Sequence, residues 1–370
     1  VDVTRLTAML GRLQDLNARG VIEHVGGPAA VDTERYVSTE RHERELDRMF
    51  RRGAQLVGFS ADLPESATHL PVRVGDVPVL LVRGDDGEAR AFVNACRHRG
   101  SPVCESAGSG RRLTCPYHAW TYDLEGALVG VPDRAAFEGC LDGEGLVALP
   151  VDERHGLLVV DPDPHGSAGV DDYLGPMAPE LAHLGFDRLV AVEVRDTEVA
   201  MNWKLGADAA MESYHTPYLH KATVGPMTHV GYAYDGYGRH HRMGLLGMTE
   251  HVPDLGDPMS ILEGVTLVHH LFPTSMVVVG AGIVAHQRCE PGPTPDTCTL
   301  RLATYAWDGP VTEKHRYLAD LLWRVVIEED CRVQAGAQRA FSSGALDRVL
   351  FGANEPGLRG MHASWDAALR

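Results

Sequence analysis

Cys96-Arg-His98, followed after sixteen residues by Cys115-Pro-Tyr-His118, decides how this sequence is read. Each segment offers one thiolate and one imidazole, at unequal spacings. Four such ligands in a short span first suggest structural zinc, which also accepts Cys2His2 sets. Zinc fingers, however, keep the two cysteines in one pair and the two histidines in the other. Here each pair is mixed, so the four side chains call for a different metal group.

A [2Fe–2S] centre of the Rieske kind has the matching asymmetry, with two thiolates on one iron and two imidazoles on the other. Two loops that each give one residue to each iron would supply it. Cys96, His98, Cys115 and His118 are therefore the candidate cluster ligands. Their surroundings, Cys96-Arg-His-Arg-Gly100 and Cys115-Pro-Tyr-His-Ala-Trp-Thr-Tyr-Asp-Leu-Glu-Gly126, closely resemble the two cluster loops of the Rieske ring-hydroxylating oxygenases. Gly100 and Pro116 suit tight loops whose backbone N–H groups point at cluster sulfurs. The remaining cysteines, at 104, 140, 289, 298 and 331, read as buried small hydrophobes.

Outward from these loops, residues 54–155 read as a small all-β module. Short apolar pieces such as 77–82, 91–93 and 146–149 are broken by turns at 84–87 and 123–126. Residues 1–53 read as a helical segment that packs on the catalytic domain. Residues 156–370 form a second region of strands (157–160, 190–194, 299–304) and two functional helices, around 203–215 and 312–340. The Pro/Gly/Asp-rich stretch at 161–176 fits either a linker or a surface loop. No internal repeat is evident.

The second dense constellation is Asn202-Trp-Lys-Leu-Gly-Ala-Asp208-Ala-Ala-Met-Glu212-Ser-Tyr-His215-Thr-Pro-Tyr-Leu-His220. On a continuous helix Asp208, Glu212 and His215 would lie within about 60° of one another. Pro217 should end or kink that helix just after His215, letting His215 and His220 converge. Two core histidines with satisfied hydrogen bonds would be the plainer account. Two histidines and one carboxylate make the usual non-haem Fe(II) oxygenase site, so a distant carboxylate is expected as third ligand. On the helix from Thr312, Leu318, Leu322, Val325, Val326, Val333 and Ala337 form an apolar stripe, with Glu329 and Asp330 on or beside it. Periodicity slightly favours Glu329.

The resemblance favours Asp330. Glu329-Asp330 with Gln338-Arg339-Ala-Phe-Ser-Ser-Gly344 is similar to the C-terminal segment of the same oxygenases, in which the aspartate of the pair binds iron. It implies an α+β protein with an N-terminal all-β Rieske domain and a C-terminal helix-grip catalytic domain. The implied cofactors are a [2Fe–2S] cluster and a mononuclear Fe(II) held by His215, His220 and Asp330. It further implies a homotrimer in which the cluster of one subunit serves the iron of the next, with Glu212 bridging His215 to His118 and Asp208 supporting that face. The expected activity is hydroxylation of an aromatic or cyclic substrate by O2. Ring-dihydroxylating members carry Asp where this chain has Glu212, whereas members acting on quaternary ammonium compounds commonly carry Glu. A monooxygenase or demethylase of a quaternary ammonium or N-methyl compound is therefore the alternative, and Tyr232, Tyr234 and Tyr237 would be its aromatic cage unless they simply lie on a surface strand.

No Gly-x-Gly-x-x-Gly follows a strand and opens a helix, so electrons are expected from a separate NAD(P)H-dependent reductase, with or without a ferredoxin. The formal net charge of -17 argues against a nucleic-acid partner. No apolar run is long enough to cross a bilayer, and the segment 277–285 reads as a buried strand. An odd number of cysteines and a start without a basic-then-apolar segment fit a cytoplasmic protein with no signal peptide.

Overall fold

The strands Thr68–Val74, whose buried side chains Leu70, Val72 and Val74 alternate, and Val77–Arg83, buried from Val79 onward, pair antiparallel with Val72 opposite Val79. Ala89–Val93 extends the meander, and Gly108–Ser109 and Ala148–Leu149 close its edges. A second sheet joins Gln55–Phe59 to Leu157–Val160 and Val151–Arg154, and a third holds Leu113–Thr114, Thr121–Tyr122 and Leu128–Gly130. These strands belong to one of two compact units in the computed structural model, Met49–Tyr173. The other comprises Val1–Arg48 and Leu174–Arg370, and the structure describes residues 4–247, 258–280 and 282–370.

The β unit runs further than the sequence suggests. Leu157–Val160, expected to open the catalytic region, pairs with Gln55–Phe59, and all four of its side chains are buried. The stretch that follows is a loop as far as Gly169 and then a short helix, Val170–Leu174. The buried Asp161 carboxylate accepts the N–H groups of Gly53 at 3.1 Å, Asp163 at 3.0 Å and Ser167 at 3.1 Å.

In the other unit seven strands make one antiparallel sheet: β1 (Leu189–Val199), β2 (Thr228–Tyr237), β3 (His240–Gly247), β4 (Val265–Leu271), β5 (Ser275–Gly280), β6 (Ile283–Pro291) and β7 (Cys298–Trp307). Their order is β1-β7-β6-β5-β4-β3-β2. The segment 277–285 is thus split between β5 and β6, which pair with each other, rather than forming one strand. The longer helices of the unit are α1 (Thr4–Arg19), α2 (Trp203–Ala210), α3 (Glu313–Trp323), α4 (Arg332–Ser342) and α5 (Pro356–Ala368). A π-helical turn, Arg324–Cys331, joins α3 to α4. The resulting long helix packs across β1 and β7, which is the helix-grip arrangement.

The N-terminal residues are only partly helical. In α1, Leu6, Met9, Leu10, Leu13 and Leu16 form the buried stripe that helical spacing demands. The chain then leaves the helix near Gly20, and Ala29–Asp32 becomes a strand paired with Arg348–Phe351. The helix Thr39–Glu45 supplies Glu45, whose carboxylate receives Lys204 Nζ at 2.6 Å and Trp203 Nε1 at 3.1 Å. Both charges are buried, so losing either partner would cost about 3–5 kcal/mol. Asn202 caps α2 through Lys204 N–H at 3.1 Å, and Gln338 Oε1 accepts the Asn202 N–H at 2.9 Å. The start of α2 is thereby fixed to α4.

Candidate metal centres

The two cysteine–histidine loops share one plan. The N–H of Cys96 donates to Ser101 O and its carbonyl accepts Gly100 N–H, both at 2.8 Å. Cys115 repeats this with Trp120 O at 2.8 Å and Ala119 N–H at 3.0 Å. The fourth residue after each cysteine is left-handed, with φ 73° at Gly100 and 56° at Ala119. Glycine adopts that conformation freely, whereas alanine does so at about 1 kcal/mol. Pro116 is therefore not the residue at which the second loop turns.

Both cysteines are buried in a core with Phe92, Trp120, Tyr122 and Leu124. The Tyr122 hydroxyl accepts Arg97 N–H at 3.0 Å and lies 3.3 Å from Cys96 Sγ, to which it would donate if the sulfur were a thiolate. Burial pushes the Cys96 thiol up, so a bound cation is what would favour its thiolate. His98 stacks on Trp120 at 4.9 Å and meets His118 edge-on at 4.5 Å. The Nδ1 atoms of both histidines are buried without a hydrogen-bond partner. Two thiols and two unpaired imidazole nitrogens are a donor set that a Rieske cluster fits. Cys140, by contrast, is exposed and Cys104 half-buried, contrary to the reading of every other cysteine as buried.

In the larger unit, α2 stops at Ala210, before Glu212 rather than after His215. A single turn, Thr216–Leu219, then carries Pro217 in its first positions, where a missing N–H costs nothing. His215 and His220 bracket that turn, and their Nε2 atoms approach to 3.0 Å. Asp330 Oδ1 lies 3.2 Å from His220 Nε2 and 3.6 Å from His215 Nε2. That oxygen is buried and unpaired, and one ligand atom from each residue lies within 4.8 Å of the others. The three residues could hold a metal ion.

The opposite nitrogens are also occupied. Glu212 bonds His215 Nδ1 and accepts the His215 N–H at 3.1 Å, while Glu329 Oε2 bonds His220 Nδ1 at 2.5 Å. Thr223 donates to the same Glu329 oxygen at 2.9 Å. Carboxylates at both Nδ1 positions require Nδ1–H, leaving each Nε2 lone pair turned toward Asp330. Burial lowers the His220 pKa, but Asp330 and Glu329 outweigh it and the net shift is upward. Glu329 and Asp330, adjacent in sequence, reach different parts of the site, and both stand on the π turn.

Asp208 is elsewhere. Its carboxylate accepts the Tyr36 hydroxyl at 2.8 Å and faces His362 Nε2 at 2.9 Å, so it supports α2 from behind. The α2 break places it off the face that Glu212 and His215 share. Tyr232, Tyr234 and Tyr237 form neither a cage nor a surface row. Their hydroxyls bond Asn354 O, His241 Nδ1 and Glu180 Oε2, and none lines the cavity of about 530 Å³ beside His215, His220 and Asp330. Among the other histidines, His240, His269 and His270 are buried and His251 lies outside the described residues. Sequence reasoning missed Tyr122, Thr223, His362 and the orienting role of Glu329, for which no short spacing gives a signal. No helix among the described residues is long and apolar enough to cross a membrane.

Comparison with known proteins agrees with this architecture. Residues 186–370 match the family model of the ring hydroxylating alpha subunit (catalytic domain), and residues 53–148 match that of the Rieske [2Fe-2S] domain. The chain is 36% identical to the glycine betaine monooxygenase oxygenase subunit of Chromohalobacter salexigens over 48% of its length. It is 34% identical to the chlorobenzene dioxygenase subunit alpha of a Cupriavidus species over 49%. These matches span only 40% and 42% of the relatives' own lengths. In fold, it superposes on a quaternary ammonium Rieske monooxygenase with TM-score 0.81 at 20% identity, covering 95% of this chain and 100% of the other. It superposes on naphthalene 1,2-dioxygenase from a Rhodococcus species with TM-score 0.75 at 18% identity, covering 99% and 98%. The chain belongs to the ring-hydroxylating alpha-subunit family, with a Rieske [2Fe–2S] domain and the catalytic domain of the non-haem iron oxygenases.

Proposed function

We propose that the protein is a terminal oxygenase, in which Cys96, His98, Cys115 and His118 hold the [2Fe–2S] cluster and His215, His220 and Asp330 hold a mononuclear Fe(II). The reaction is hydroxylation of an aromatic or other cyclic organic substrate by O2. The observation that carries this reading is the convergence of two Nε2 atoms and one unpaired carboxylate oxygen on the wall of a largely apolar cavity. The bound groups would supply single electrons from the cluster and O2 activation at the ferrous ion. The chain's own residues set the conditions. Glu212 and Glu329 hold Nδ1–H and orient both imidazoles, and Asp330 brings one negative charge. Three protein ligands would leave positions free on a bound metal, and the largely aliphatic wall would limit water there. Electrons come from a separate NAD(P)H-dependent reductase, with or without a ferredoxin, and the working assembly is a homotrimer with Glu212 facing a neighbour's His118.

A second reading, oxidation of a quaternary ammonium or N-methyl compound, is favoured by Glu212 and by likeness to a glycine betaine monooxygenase subunit. Both readings share the metal centres. Elemental analysis should find about three irons and about two acid-labile sulfides per chain, with little zinc. Stoichiometric zinc without sulfide overturns the oxygenase reading.

A further inference from the structure

The cavity beside His215, His220 and Asp330 has an uneven wall. No Phe, Tyr or Trp lines it among the described residues, and its bulk is aliphatic, including Val268, Val278, Ile283, Leu321 and Val325. Of its carboxylates, Glu212 is bound to His215, Asp330 faces the imidazoles, and Glu263 is exposed. Such a wall lacks the aromatic faces that hold a quaternary ammonium.

Neutral polar side chains interrupt it at Ser213, Thr216, Thr266, Gln287 and Gln334, and of the two amides Gln287 is buried whereas Gln334 is half-buried. Gln287, on β6, lines the cavity and is 6% exposed. Its amide nitrogen donates to Gly206 O at 3.2 Å and lies 3.7 Å from Cys289 Sγ. Gly206 makes this reach short, since a Cβ there would fall 2.3 Å from Cys289 Sγ, and only glycine lets α2 approach β6 so closely. A carbonyl partner needs a donor, so the nitrogen is committed and the amide cannot turn over without loss. Gln287 Oε1 has no donor among the described residues, and it is not one of the fully enclosed unpaired atoms. It therefore opens on the cavity as an acceptor.

Resting on the oxygenase reading above, we propose that the substrate is an uncharged, largely hydrocarbon molecule bearing one hydroxyl or N–H group, and that Gln287 Oε1 accepts that group's hydrogen. Gln287 is then a specificity-determining residue. A ligand without the donor leaves a buried acceptor unpaired, which discriminates more sharply than a missing methylene.

Three probes built on one carbon cage test this: 1-adamantanol, 1-methoxyadamantane and trimethyl(1-adamantyl)ammonium. Binding is measured by calorimetry on the reduced, metal-loaded protein under argon, so no turnover is needed. The alcohol should bind about fivefold tighter than its ether, and the ammonium most weakly. In Gln287→Leu the alcohol's advantage should fall below about twofold, with the ether bound no more weakly. Circular dichroism and thermal unfolding check that the variant is folded, and Gln287→Met serves if it is not. Equal binding of alcohol and ether, an advantage kept in the folded variant, or tightest binding of the ammonium overturns the proposal. Iron and sulfide are counted on the same samples. Absent iron with a Gln287-dependent preference refutes the oxygenase reading instead, and intact metals without that preference refute this inference alone.

Discussion

The two metal centres are assembled in opposite ways. The cluster loops take their four proposed ligands from within 23 residues, Cys96 to His118, and each loop closes on itself through the same pair of backbone hydrogen bonds. The mononuclear site joins one turn at 215–220 to a carboxylate 110 residues further on, and its orientation depends on Glu329 and Glu212. A locally closed site can be read from its motif and should tolerate change far away. A site assembled from distant segments depends on the phase of a distant helix, so its ligands and their supports should fail separately.

The largest effect tests whether the two centres are independent. His215→Ala should abolish turnover and lower iron by about one per chain while the visible spectrum of the cluster persists. Cys96→Ser should do the reverse, bleaching the cluster while the mononuclear iron remains countable. Loss of the cluster's colour in a folded His215→Ala protein would break the division of ligands between the units.

A smaller effect sharpens the contrast inside the mononuclear site. Asp330 offers an unpaired oxygen to the metal position, whereas Glu329 holds His220 Nδ1. Glu329→Ala should weaken iron binding about 10–100-fold, the usual loss when a group orienting a ligand histidine is removed. Asp330→Ala should weaken it more. Competition with a graded chelator series measures both, and the reverse ranking would exchange the two roles.

This pair also shows where sequence reasoning stops. The cluster loops were legible because contiguous residues carry them, and the helix-grip arrangement was legible only through the family resemblance that those motifs support. At 100° per residue Glu329 sits nearer the apolar stripe than Asp330, and that arithmetic fails where Arg324–Cys331 widens into a π turn. The same assumption of a continuous helix put Asp208 on the face of Glu212. Its partners Tyr36 and His362 lie 172 and 154 residues away, and nothing local announces them. The tyrosines of β2 were misread for a related reason. Strand alternation tells that side chains point to opposite faces, but not that each hydroxyl will find a buried acceptor.

The smallest effect returns to the cluster loops and asks how much a single contact matters in a site that closes on itself. The Tyr122 hydroxyl lies 3.3 Å from Cys96 Sγ, and since a thiolate has no proton to give, it would be the donor once the cluster is bound. A hydrogen bond to a cluster sulfur favours the reduced, more negative state, so removing it should lower the midpoint potential. A net hydrogen bond of about 0.5–1.5 kcal/mol corresponds to roughly 20–60 mV for one electron. Tyr122→Phe should therefore shift the potential downward by that amount and leave iron and sulfide content unchanged, since Cys96, Cys115, His98 and His118 all remain. Protein-film voltammetry reads the shift. An unchanged potential would mean that the hydroxyl proton is not directed at the sulfur. Loss of the cluster would mean that the loop needs Tyr122 to close, and the contrast between a self-closed site and an assembled one would fail.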